Sequence, residues 1–298
     1  MSTYQIEFIT PLFSRGAYDD RAEIRPASIR GQLHHWMRLL GGKPTEERAI
    51  FGSVHKDFGG RDQPPAASRV VVRVSSLPKP GEPSPWLPTL PHKPSGANPR
   101  NGPNAPRCAF APGARCTLTV TERFGGLSDS HRILLDRATR SWLLAGSLGL
   151  RATRGGGSMK WGGAPNDAGT YHTTLSALLN GAQLRFDLLS RLFTKAEDAR
   201  RVITETISHA AFGDIFYPLG AVRQGREDPA PSRKTSPLRL TVRQFEDGFR
   251  ILAMWDDRQS VTGNTPEHLR TAIDRLANGT THSRPTEIGK LLQASKLC

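Results

Sequence analysis

Residues 23–42 read EIRPASIRGQLHHWMRLLGG. Within them Arg30, His34 and Arg38 recur every four residues, which on a helix makes one line of hydrogen-bond donors. Arg25 stands just before the helix, where free N–H groups and the helix dipole attract anions. Donors converging in this way suit phosphate binding. The plainer alternative is a solvated helix face. His34 and His35 suggest acid–base or metal chemistry, but adjacent helical residues point about 100° apart, so the pair is poorly placed to share one ion.

A second constellation is GLRATRGGGSMKWGG, residues 149–163. Arg151, Arg154 and Lys160 surround Gly155, Gly156 and Gly157. Glycines let backbone N–H groups come close to a phosphate, so a loop binding a nucleic-acid backbone is the preferred reading over a flexible linker. The order of a P-loop is absent. A third candidate is Tyr18-Asp19-Asp20. Asp19 and Asp20 are weak catalytic candidates for Mg²⁺ binding or phosphodiester cleavage. No third carboxylate partners them, which favours a solvated turn.

The whole chain agrees with an anionic partner. It has 298 residues, 41 Lys and Arg against 27 Asp and Glu, and a formal charge of +14. A field of that sign attracts polyanions, nucleic acid first among them. Arginine outnumbers lysine, as planar phosphate and base contacts favour, although a GC-rich genome produces the same bias. Three cysteines make neither a disulfide framework nor a zinc site. No signal segment and no apolar run of about 18 residues is evident, so a cytoplasmic protein without membrane contact is expected.

Elements must position these groups. TYQIEFITPLF alternates as a half-buried strand. Ile29, Leu33, Trp36, Met37 and Leu40 make the apolar stripe of a helix, with Ser28 expected as its N-cap and Gly41 just past its end. RVVVRVSS (69–76) and CTLTVTERF read as strands, and SHRILLDRATRSWLLAGSLGL as a helix. Residues 77–114, rich in Pro and Gly, read as an irregular insertion. Further on come the strand AQLRFDLLS and the helix TKAEDARRVITETISHAAFG, capped by Thr194 and Glu197. A short strand at 213–219 follows, then a hairpin about Glu246-Asp247-Gly248 and a helix from Thr265 to Gly279. Each half thus repeats a β-α-β-β-α order. The fold class is α+β, with two tandem ferredoxin-like (RRM-like) domains over 1–160 and 161–298. The aromatic signature of an RNA-recognition motif is missing, so base stacking on a bare sheet is not expected.

ITPLFSRGAYDDRAEIRPASIRGQLHHWMRLLGG resembles the opening of RAMP proteins of type III CRISPR effectors, among them the first-numbered subunit of the type III-B Cmr complex. The family pattern is I-T-P-L-F-x-x-G-A, then E-[IL]-R-P-x-S-I-R-G-x-L-R-F-W-x-R. EERAIFGS (Glu46 to Ser53) is similar to its E-x-x-[IL]-F-G-S, GSLGLRATRGGGSMKW to its glycine-rich loop, and RKTSPLRLTV to a segment in which a basic residue precedes S-P-L. His34 and His35 replace the usual Arg and Phe, and Thr153 and Gly156 also depart from the pattern. The resemblance implies binding of CRISPR guide RNA and complementary target RNA, assembly with other RAMP subunits in antiviral defence, and no cofactor. It places RNA contacts at Arg25, Arg30, Gly31, Arg38, Arg151, Arg154, Gly155, Gly157 and Ser158. The subunit it resembles does not cut. Backbone subunits of such complexes cut with an aspartate after the first strand, roughly where Asp19 and Asp20 lie, so an endoribonuclease is the alternative.

Overall fold

The computed structural model describes residues 1–17, 20–54, 62, 64–75, 84–91, 106–123, 125–210, 237–256, 258 and 269, with backbone alone over 206–210. Tyr18 and Asp19, most of the 77–114 insertion, the strand expected at 213–219 and, apart from Leu269, the helix expected at 265–279 lie outside the described residues.

Strand β1 (Ser2–Phe8) buries Tyr4, Ile6 and Phe8 in alternation. Helix α1 (Pro26–Leu39) follows, then α2 (Pro44–Phe51), β2 (Val70–Ser75), a short ribbon of β3 (Trp86–Leu87) and β4 (Arg107–Cys108), β5 (Arg115–Glu122), α3 (Asp129–Ala145) and β6 (Met159–Trp161). The order β2-β5-β1-β6 is antiparallel throughout. Ile29, Leu33, Trp36 and Met37 of α1, with Leu135, Ala138 and Trp142 of α3, join Ile6, Phe8, Leu118 and Val120 in one core. Both helices therefore cover one face of the sheet. The register turns Thr3, Gln5, Glu7, Val71, Arg73, Thr117, Thr119, Thr121 and Lys160 to the other face, and none of these is aromatic.

Helix α4 (Ala168–Leu179) adds Tyr171, Leu175 and Leu179 to the same core. Strand β7 (Leu184–Leu188), helix α5 (Ala196–Ala210) and the hairpin β8 (Arg239–Phe245) and β9 (Gly248–Asp256) complete the described chain. The order β7-β9-β8 is again antiparallel. One face of this sheet packs Leu240, Val242, Ile251 and Ala253 on Ala199 and Ile203 of α5. The other sends Phe245, Leu252 and Met254 into the first core. Arg243, also on that face, is buried and donates to the carbonyls of Met159 (3.0 Å) and Gly146 (2.5 Å). Among the described residues no helix is long and apolar enough to cross a membrane.

Several elements differ from the expectations. Helix α1 begins at Pro26 with Arg25 at the N-cap, not Ser28. Proline suits the first helical position because its missing N–H has no helical partner there. Gly41 closes the helix as expected, at φ 87°, with Gly41 and Gly42 donating to the carbonyls of Arg38 and Met37. Helices α2 and α4, strand β6 and the β3–β4 ribbon, which lies inside the stretch 77–114 expected to be irregular, were not anticipated. β6 is the edge strand of the first sheet and straddles residue 160, where the first domain was expected to end.

Candidate nucleic-acid interface

Topology gathers the sequence blocks at one end of the first sheet. β1 ends, β6 starts and α1 starts at the same end, where Phe8 pairs with Met159. Past β1 the chain runs along the glycine loop: Ile9 N–H donates to the Ser158 carbonyl (2.9 Å), Gly157 N–H to that of Pro11 (2.9 Å) and Leu150 N–H to that of Phe13 (2.8 Å). On the loop's far side Gly155 N–H donates to the Leu240 carbonyl (2.8 Å), and Arg154 bridges Leu240 in parallel. The opening block, the glycine loop and the strand after S-P-L thus form one unit.

Thr10 and Ser158 lock it from inside. Thr10 is 1% exposed and Ser158 0%. Ser158 N–H donates to Thr10 Oγ1 (2.9 Å), Thr10 Oγ1 donates to the Gly155 carbonyl (2.8 Å), and Ser158 Oγ accepts from Val242 N–H (3.0 Å). Gly157 adopts φ 59°, and a Cβ there would lie 1.9 Å from the Leu148 carbonyl oxygen. Only glycine fits this crossing.

This geometry corrects the expected mechanism at the loop. The N–H groups of Gly155, Gly156, Gly157 and Ser158 donate to Leu240, Arg151, Pro11 and Thr10. All four residues are buried. The glycines serve tight packing and do not offer N–H groups to a phosphate. Exposed Gly149 and Leu150 and half-buried Arg151 and Arg154 make the outer rim. Arg151 holds φ 64°, the only non-glycine positive φ among the described residues, and backbone strain of this kind concentrates at functional sites.

The α1 donors are likewise committed within the protein. Arg38 donates from Nε to Glu47 Oε2 (2.7 Å) and from Nη2 to Oε1 (2.5 Å). His34 Nδ1 bonds Glu47 Oε1, and Arg30 donates to His34 Nε2 (3.4 Å) and to the Phe51 carbonyl. The tautomer that satisfies both contacts is the one with Nε2 as acceptor and Nδ1 directed at Glu47. The His34 ring stacks on Phe51 with centroids 4.0 Å apart. Burial pushes the Glu47 carboxyl up, but hydrogen bonds from Arg38 and His34 outweigh it and hold its pKa below the ordinary value. Arg38 is raised in turn by its bond to Glu47. His35 faces elsewhere. Burial, with Arg239 and Arg38 nearby, pushes it down to about 4. The two histidines do not converge, and among the described residues no three His, Cys, Asp or Glu side chains form a metal-holding group.

What α1 leaves open is its first turn. Arg25, Pro26, Ala27, Ser28 and Gly31 are exposed. A Cβ at Gly31 would meet nothing within 4 Å. A mid-helix glycine costs roughly 0.5–1 kcal/mol relative to alanine, and nothing inside the fold requires this one. Lys160 sits across from Glu7 on the sheet's uncovered face. With Gln5, Arg115 and Gln244 it lines an open crevice of about 530 Å³. Asp20 is exposed, and its carbonyl accepts from the Cys108 thiol (3.2 Å).

The profile of the RAMP superfamily matches residues 5–160. The chain belongs to the RAMP superfamily. The matched region contains α1, α2 and the glycine loop as far as Lys160, whereas β8, which completes the interlocked unit, lies beyond it. Among solved structures, a chain of the type III-B Cmr-beta complex bound to cognate target RNA and AMPPnP matches with a TM-score of 0.55 at 9% identity, over 91% of this chain and 97% of that one. A second Cmr-beta complex with cognate target RNA gives 0.52 at 9%, over 85% and 94%. Cmr1 of Pyrococcus furiosus gives 0.48 at 17% identity, over 85% and 87%. The two Cmr-beta matches are likenesses of fold. No curated protein matches the chain.

Two residues that hold these elements together escaped the sequence reading. Glu47, the acceptor for Arg38 and His34, was visible only as part of the E-x-x-I-F-G-S block. Arg200 of α5 is 2% exposed, donates to the Thr89 carbonyl (2.7 Å) and lies 5.4 Å from the Phe13 ring centroid. A buried arginine inside an amphipathic helix carries no sequence signal that separates it from a surface one.

Proposed function

We propose that this RAMP protein is a non-catalytic RNA-binding subunit of a type III CRISPR ribonucleoprotein. It contacts guide RNA and the guide–target duplex through phosphates, near one end of the complex. The observation that carries this reading is the convergence of the opening block, the glycine loop and β8 at one end of the first sheet, with arginines on its rim.

The contacts are borne by side chains. Arg25, Arg151 and Arg154 neutralise phosphates, and Gly31 lets the RNA backbone close on α1. Arg30, His34 and Arg38 hold the α1 edge against α2, and Gly155, Gly156, Gly157 and Ser158 set the shape of the rim. Lys160 meets RNA from the sheet's other face. The two antiparallel sheets support two tandem ferredoxin-like domains, the first with the 77–114 insertion and a boundary moved from 160 to beyond β6. Sequence choice is left to base pairing, as in other guided systems. The protein works in the cytoplasm, docked to other RAMP subunits.

Equilibrium binding across a salt series tests this. Log affinity for guide RNA falls linearly with log salt, by about 0.7 per phosphate neutralised on a single strand. A flat profile contradicts the reading. Mg²⁺-dependent cutting of target RNA, lost on Asp19→Ala or Asp20→Ala, replaces it with the endoribonuclease.

A further inference from the structure

Trp86 is 55% exposed. A fully packed indole buries about 150–250 Å², and this one leaves more than half of its surface to solvent. Its setting is nevertheless firm. Trp86 pairs with Cys108 across the β3–β4 ribbon, and Leu87 with Arg107. Cys108 is buried, and its thiol donates to the carbonyl of Asp20. Ser84 Oγ accepts from Ala22 N–H (3.1 Å), and Ala109 N–H donates to the Pro85 carbonyl (3.0 Å). Phe110 exchanges both backbone hydrogen bonds with Leu12. The ribbon is therefore pinned to the segment between β1 and α1, and Trp86, on the same face as buried Cys108, still leaves more than half of its surface exposed.

Exposed cations surround that attachment along the chain. Arg21 adjoins the Asp20 and Ala22 anchors, Arg25 opens α1, and Arg107 lies beside Cys108 in β4. Among the described residues, the nine positions named above on the first sheet's uncovered face carry no aromatic side chain, so they offer no ring for base stacking. A fixed, exposed indole beside a cationic segment is the combination by which proteins hold single-stranded nucleic acid: charge follows the backbone and the ring takes a base.

We infer that Trp86 stacks on an unpaired nucleobase of the RNA whose phosphates lie along the Arg21–Arg25 segment. This rests on the RNA-binding reading above. Stacking tolerates any base, because every base has a π-face. A paired base already has its faces covered by neighbours in the duplex, so the contact favours single-stranded over duplex RNA.

The test compares full-length protein with Trp86→Ala and Trp86→Phe, using a fluorescein-labelled single-stranded RNA of mixed sequence and a blunt duplex of equal length. Trp86→Ala weakens single-strand binding about 5- to 150-fold, the equivalent of roughly 1–3 kcal/mol per stacked base. Trp86→Phe recovers most of that affinity but loses part of the RNA-induced quenching of indole emission. The salt slope is unchanged in both variants, and duplex affinity stays within about twofold. Single-strand binding by Trp86→Ala within twofold of wild type overturns the inference while leaving RNA binding intact. A loss that phenylalanine does not recover, with a lowered melting temperature, assigns Trp86 to structure and overturns it as well. Wild-type protein that binds neither RNA overturns both this inference and the reading beneath it.

Discussion

Arg38 and Glu47 meet through two hydrogen bonds, at 2.7 and 2.5 Å, and join the last turn of α1 to the first half of α2. The Glu47 side chain is 8% exposed and also takes the His34 bond. One carboxylate thus holds two groups that the sequence presents as a row of phosphate donors.

Glu47→Gln leaves Arg38 without its counter-charge and weakens the hold on α2. Because Arg38 is half exposed, solvent screens part of the loss, and the expected destabilisation is about 1–3 kcal/mol. It is read from the urea midpoint at neutral pH. The sign with pH follows from the depressed pKa of Glu47. The pair contributes fully above the ordinary carboxylate pKa of 4.5 and is lost as pH falls through the lower folded value. The variant's stability is therefore flatter than wild type's on the acid side, and the two curves converge at low pH.

Ser158→Ala separates support from RNA contact. It removes the acceptor of Val242 N–H and a donor to the Gly155 carbonyl, both buried. Unmet buried groups cost about 1–3 kcal/mol, so thermal unfolding moves to lower temperature. The salt slope of RNA binding stays at the wild-type value, because no phosphate contact is lost. A slope reduced by about one assigns Ser158 to the RNA instead.

Much of the scaffold was legible along the chain. β1 and β5 alternate in the pattern of half-buried strands, the β8–β9 hairpin is marked by its turn at Glu246-Asp247-Gly248, and α1 and α3 carry full apolar stripes. α2 has only eight residues, and β6 has three set among glycines. α4 hides behind Gly169, Thr170, Thr173 and Thr174, all weak helix formers. The blocks themselves were legible, but not that the fold interlocks them. Nor was the use of their atoms. Arg38 meets Glu47 nine residues on, Thr10 meets Ser158 at a separation of 148, and Gly155 meets Leu240 only once both sheets exist. Local pattern marks a donor but does not reveal whether the fold has already engaged it.

Gly31→Ala should move stability and binding in opposite directions. The new methyl meets no atom of the protein, and alanine favours the helix by roughly 0.5–1 kcal/mol. The melting temperature therefore rises. RNA affinity falls several-fold, because the methyl stands where the RNA backbone approaches. Unchanged affinity removes Gly31 from the interface.

Arg25→Ala and Arg154→Ala each delete one rim cation. Each should weaken binding about equally across RNA sequences and reduce the salt slope by about one. Sequence-dependent losses contradict contact through phosphates.

The most direct measurement is ultraviolet crosslinking of the protein to guide and target RNA within its assembled complex, with crosslinked peptides mapped by mass spectrometry. Crosslinks concentrated in the peptides containing Arg25 to Gly31 and Gly149 to Arg154, and abolished by the double charge reversal Arg25→Glu with Arg154→Glu, are the predicted result. Crosslinks confined to other surfaces such as the outer side of α3 and α4, or indifferent to that double reversal, contradict the account.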